Sequence, residues 1–231
     1  MGTPCDCGTA LCEVMCRDCT QYRGACRACF VKDHKYNYFH WAEVWDAELG
    51  FYRRHDMSLI APPLAVGHGS ERCDQVPEDT PGLPFTITHT NGVHRTLIHR
   101  CGHKTDPVEP LMKSQLFPAT FDKPATAYTF QVMQNFHIHN LESKQSAYDY
   151  CGSLMRLTDN AFAAENVSTF IRGAHLWSVV TTDKRMGHLH GIGEVLTCRP
   201  EGHSVLLCPA CPEPGFNMDP KMPLNLPEEL R

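Results

Sequence analysis

The sequence predicts an α+β protein in which a small cysteine-stapled unit precedes a mixed domain of one β-hairpin and three helices. Seven of the thirteen cysteines crowd between Cys5 and Cys29. Apolar residues alternate on either side of Asn91-Gly92, the pattern of half-buried strands joined by a tight turn. Beyond Pro124 they recur at three- and four-residue spacing instead, which is helical.

The bulk composition narrows the class. With 231 residues and 42% hydrophobic content the chain can bury a core. It has no apolar run of the length that a signal peptide or membrane span needs, so an intracellular protein without a membrane partner is expected. Thiols in a reducing compartment do not pair into a disulfide framework, so thirteen cysteines and fourteen histidines point to metal binding or reactivity. The formal net charge of -5 provides no global basic field, and any nucleic-acid contact has to be local.

The N-terminal cysteines and histidines read Cys5-x-Cys7, eight residues, Cys16-x2-Cys19, six residues, Cys26-x2-Cys29, four residues, His34, five residues, His40. Two cysteines one or two residues apart reach the same ion from a tight knuckle, so each pair supplies half of a tetrahedral zinc shell. Interleaving first with third and second with fourth assigns Cys5, Cys7, Cys26 and Cys29 to one zinc, and Cys16, Cys19, His34 and His40 to another. Both would be structural, because four protein ligands leave no open position for water or substrate. Cys12 fits no pair and reads as a small core residue. With histidines as its last two ligands, this segment looks like a B-box, a zinc-binding unit used chiefly for protein interaction. A ubiquitin-ligase RING has its histidine in the middle of the order, which argues against that activity here.

This two-zinc unit spans residues 1–45. A connector of loops with a short strand or two follows over 46–82, the α+β domain over 83–217, and an irregular tail over 218–231. Within the domain, the Asn-Gly pair predicts a type I′ hairpin from Leu83 to Cys101. Helices are predicted over Pro124 to Leu141, Lys144 to Leu157 and Val167 to Val180, and a late strand over SVLLC. The hairpin ends in Cys101-x-His103 and the late strand in Cys208-x2-Cys211, so these two knuckles are expected to meet on a third zinc and close the domain. His68 and Cys73 could also be ligands, but a lone His and Cys five residues apart are more often unrelated. His137 and His139 fall two apart on a predicted helix and point to different faces. Arg95, Arg100, Lys104 and Lys113 flank the hairpin and its knuckle and are the best local candidates for phosphate contact.

Several short motifs occur in a telling order: CDCG, CRDC, CRACFVKDH, LFPATFDKP, SKQSAYDYCGSLMRLTDN and CPACPEPGFN. From Cys5 to Asn217 the chain resembles the CxC-type cysteine-cluster domain associated with KDZ (Kyakuja-Dileera-Zisupton) transposases of mushroom-forming fungi. His103 stands where the family usually has a second cysteine. The resemblance implies a nuclear, non-catalytic, zinc-binding module that precedes a transposase catalytic region. It also implies DNA at transposon ends, the transposase itself or chromatin proteins as partners, with no small-molecule substrate. Nothing in the residues supplies the RNase H-like sheet and carboxylate triad of strand transfer, and Asp149 and Asp159 read as helix-surface and turn residues. The chain stops about where the catalytic region is expected, so a functionless fragment of a decayed transposon is the competing expectation.

Overall fold

The computed structural model describes residues 3–20, 24–69, 71–103, 106–160 and 167–185. Met1–Ser178 form one compact unit and Val179–Arg231 a second. All the elements below lie in the first, except the last turns of the final helix. The expected strand SVLLC, the tail, Lys104, Cys208 and Cys211 fall outside the described residues.

The cysteine-rich segment is built from very short elements. Strand β1 (Val14–Met15) pairs antiparallel with β2 (Ala42–Asp46), which pairs in turn with β3 (Phe51–His55). Helix α1 (Arg27–Asp33) packs its buried Phe30 against this three-stranded sheet, with Val14, Ala42, Val44 and Met57 completing a small core. The segment read as a connector therefore contributes β3 and β4 (Leu64–Ala65), one to each sheet.

The second sheet has five strands in the order β4-β6-β5-β8-β7. Its centre is the expected hairpin, β5 (Leu83–His89) with β6 (Gly92–His99), in register Thr86 to Arg95 and Thr88 to Val93. The turn is not type I′. His89 pairs with Gly92, so Thr90 and Asn91 are the central residues, and neither has a positive φ. Gly92 takes φ 137° instead, and a Cβ there would stand 2.6 Å from the Thr158 hydroxyl, so the glycine serves close approach as well as the turn.

Two of the three predicted helices begin later than their sequence pattern suggests, whereas the third starts at Val167 as expected. Thr126–Thr129 form β8, parallel to β5, because the TAYT run is β-branched and aromatic. Helix α3 (Phe130–Ser143) then starts at the Thr129 cap, whose hydroxyl accepts from Val132 N at 3.2 Å. Helix α4 (Ala147–Thr158) starts at Ser146, which accepts from Asp149 N at 3.1 Å and donates to the Asp149 carboxylate at 2.7 Å. Tyr150, Cys151 and Leu154, three and four residues apart along α4, are buried, whereas Leu157 is exposed. Helix α5 (Val167–Arg185) brings Phe170 into the same core as Val132, Met133, Phe136 and Tyr128. The sequence pattern missed α2 (Val108–Lys113), which leads into β7 (Leu116–Pro118), because six residues are too few to establish a period.

Candidate metal centres

Among the described residues, three groups of four Cys/His side chains bring their donor atoms within 4.8 Å of one another. They are Cys5, Cys7, Cys26 and Cys29; Cys16, Cys19, His34 and His40; and His68, Cys73, Cys101 and His103.

Local structure explains each group. In the first, Cys26 is the N-cap of α1 and Cys29 lies in its first turn, so a helical start presents both thiols to the Cys5-Cys7 loop. The Cys26 amide donates to Cys5 Sγ at 3.4 Å, and Cys7 Sγ lies 3.7 Å from Cys26 Sγ. In the second, the knuckle after β1 supplies Cys16 and Cys19, the C-cap of α1 supplies His34, and the loop before β2 supplies His40. Cys16 Sγ stands 3.5 Å from His40 Nδ1, and Cys19 Sγ stands 3.3 Å from His34 Nε2 and 3.4 Å from His40 Nδ1. His34 Nδ1 lies 2.9 Å from the Phe30 carbonyl, a contact that leaves Nε2 as the ligating nitrogen.

The third group depends on a parallel strand pair. Leu64 of β4 pairs with Ile98 of β6 and Ala65 with His99, so both strands run out at the same edge of the sheet. His68 and Cys73 follow one strand, and Cys101 and His103 follow the other. His68 Nε2 is 3.0 Å from Cys101 Sγ, and His103 Nδ1 is 3.2 Å from Cys73 Sγ. The Gly102 amide donates to Cys73 Sγ at 3.4 Å, and Asp74 stands 3.5 Å from His103 Nε2, where a carboxylate orients a ligating imidazole. Gly67, at φ 98°, lets the loop pass, since a Cβ there would meet Pro110 at 3.0 Å. Cys208 and Cys211, expected on this ion, lie outside the described residues. Among the described residues, His68 and Cys73 are the donors brought to Cys101 and His103. Sequence spacing missed this grouping because a two-residue strand leaves almost no pattern.

The donor sets fit zinc. Bonds of about 2.3 Å to sulfur and about 2.0 Å to imidazole nitrogen give tetrahedral S···S edges of about 3.8 Å and S···N edges of about 3.5 Å. The 3.7 Å S···S separation of the first quartet and the 3.3–3.5 Å S···N separations of the second lie near these values, while the 3.0 and 3.2 Å of the third are shorter. Electrostatics agrees. Hydrogen bonds from the Thr9 hydroxyl and amide hold the Cys7 thiol down to about 6, and the Cys7 and Cys26 amides pull Cys5 below its ordinary value. Hydrogen bonding to Cys26 pushes neighbouring Cys29 up to about 12, and burial does the same to Cys16. Crowded sulfurs that cannot all ionise together are what a divalent cation relieves.

The remaining candidates stay outside these groups. Cys12 donates to the Gly24 carbonyl at 3.1 Å, Cys151 is buried under α4, and His139 contacts Gln145. Arg100 donates to the Pro124 carbonyl at 2.6 Å and Lys113 pairs with Glu109 at 2.8 Å, so of the three flanking cations among the described residues Arg95 is the one whose side chain is not so engaged.

Residues 59–162 match the family model described as CxC2 like cysteine cluster associated with KDZ transposases. The matched span contains the third quartet, the hairpin and α2 to α4, while the first two quartets precede it. No curated protein and no solved structure matches the chain. Among the described residues, no helix is long and apolar enough to cross a membrane.

Proposed function

We propose that this chain is a non-catalytic, zinc-binding module of a KDZ-type transposase, acting in the nucleus to recognise DNA or partner proteins of the transposition machinery. The observation that carries this reading is the convergence of three complete Cys/His quartets, each with its donor atoms within 4.8 Å of one another, one of them inside the matched family span. Zinc in such shells supplies cross-links rather than chemistry, because no coordination position is left for a reacting group. The interleaving of the first two quartets around α1 supports reading this segment as a B-box-like unit.

The charge pattern favours protein contact or a confined phosphate contact over a broad DNA footprint. Arg17 pairs with Glu43, Arg27 with Glu13, Arg53 with Asp46 and Lys113 with Glu109, so these cations form no continuous stripe. Mass spectrometry of the purified full chain under native conditions tests the metal assignment. Three zinc ions per chain are expected; two would remove the third quartet, and none would defeat the reading.

A further inference from the structure

We propose that the cavity between the five-stranded sheet and α4 binds a phosphoryl group, carried by a free nucleotide or by the end of a nucleic-acid strand, with Arg95 as the anchoring cation. This inference goes beyond the metal-binding role and uses none of the three quartets.

Strand register builds the site. Side chains at opposed positions of paired strands share a face, and positions two apart along a strand do so as well. Arg95 of β6 and Thr126 of β8 each pair with Thr86 of β5, from its two sides, and the three form one row across the central strands. Val93, Thr88 and Tyr128 form the next row. The opposite face carries Phe85, Ile87 and Ala127 and is packed as core. A sheet face covered by a helix ordinarily has an apolar floor, but this one presents a guanidinium, three threonine hydroxyls and a phenol.

The face is covered without being filled. Leu154 and Met155 of α4 and Phe170 of α5 overhang a cavity of about 790 Å³, the size of a small-ligand site. Tyr128 lines it at 2% exposure, and its hydroxyl, although close enough to Thr169 to be influenced by it, makes no hydrogen bond of ordinary geometry to the described residues. Arg54, held over the Trp41 ring at 5.2 Å and donating to the Leu157 carbonyl at 2.7 Å, places a second guanidinium at the rim. Of the two lining carboxylates, Asp56 is taken by His94 at 3.0 Å, and Asp159 is the other. A guanidinium flanked by hydroxyl donors suits a tetrahedral oxyanion, with charge from Arg95 and hydrogen bonds from Thr86 and Thr126.

The test titrates the zinc-loaded full chain by calorimetry with inorganic phosphate, a nucleoside monophosphate, and a short single strand ending in either a 5′-phosphate or a 5′-hydroxyl. Phosphorylated probes should bind and the hydroxyl-ended strand should not. Arg95→Gln should weaken binding by roughly tenfold or more, as expected for loss of a charge-assisted contact. The near-isosteric pair Thr86→Val with Thr126→Val should weaken it several-fold, with zinc content unchanged in both variants. Binding of the monophosphate assigns the site to nucleotides, and binding of the phosphorylated strand alone assigns it to strand ends. Equal binding of both strands, unchanged affinity in Arg95→Gln, or no binding of any phosphorylated probe overturns the proposal. Because zinc stoichiometry is read separately, such a failure would leave the metal assignment intact.

Discussion

Replacing Asp18 by alanine probes how firmly the second quartet is keyed to the hairpin of the five-stranded sheet. Asp18 lies inside the Cys16-x2-Cys19 knuckle, and its Oδ2 accepts from the Trp41 backbone amide at 2.8 Å and from Asn91 Nδ2 at 3.1 Å. Asn91 sits at the hairpin turn, where it also donates to the Phe39 carbonyl at 2.8 Å and accepts the Trp41 indole N–H on its backbone oxygen at 3.1 Å. Asp18→Ala removes two charge-assisted bonds and strips a part-buried amide of its partner. A hydrogen bond to a charged group contributes about 1.5–3 kcal/mol and an orphaned amide costs about 1–3 kcal/mol, terms that overlap here. Water can reach the exposed Asn91 side of the pair, so a net loss of about 2–3 kcal/mol is expected, with Asp18→Asn costing about half as much. Denaturant unfolding of the zinc-loaded chain reads the loss. A double-mutant cycle with Asn91→Ala should return a coupling of about 1 kcal/mol. A loss below about 0.5 kcal/mol at unchanged zinc content would refute the keying, since that is the range of an ordinary surface substitution.

Two further predictions follow from the packing. Cys26→Ser removes a donor from the first quartet and should abolish amide-exchange protection around Cys5 to Phe30 while leaving α3 and α4 protected; unchanged protection near Cys5 would contradict the assignment. Gly173→Ala places a Cβ 2.8 Å from the Tyr128 ring edge, so despite alanine's better helix propensity it should destabilise the chain by about 1–2 kcal/mol in thermal unfolding, whereas a gain would show that the α5 contact yields freely.

What the sequence made legible divides along physical lines. Close pairs of cysteines carry their own geometry, so the grouping of Cys5 with Cys26 and of Cys16 with His34 was readable from order and spacing. Contiguous periodic stretches were readable too, and α4 and the β5-β6 hairpin lie within a few residues of expectation. What escaped was whatever depends on non-local pairing. The parallel contact of β4 with β6, two residues long, carries His68 and Cys73 to Cys101 and His103, and nothing in either segment announces it. The residues Thr126–Thr129 were absorbed into a helix because Pro124 mimics a helix start, whereas their β-branched and aromatic side chains complete a sheet. The phosphate candidates were also underdetermined: four cations flank the hairpin, and only the register puts Arg95 in the row with Thr86 and Thr126.

Each quartet stands where an element is too short to hold itself. Helix α1 has seven residues and no side-chain cap at its start, and a helix of that length does not persist alone. Cys26 and Cys29 tie its first turn into one quartet, and His34 ties its last residue into another, so the two shells take the place of caps at both ends. The same logic applies to β4, two residues long, whose exit loop is bound to that of β6 by the third quartet. In contrast, Phe136, Tyr150, Leu154 and Phe170 belong to a core of ordinary aromatic and aliphatic packing whose described members include no quartet residue. Metal removal should therefore dismantle the chain unevenly, releasing α1 and the ends of β4 and β6 first. This unevenness separates a module cross-linked by metal from one that merely carries thiols, because reactive thiols without a structural ion would leave α1 indifferent to chelation.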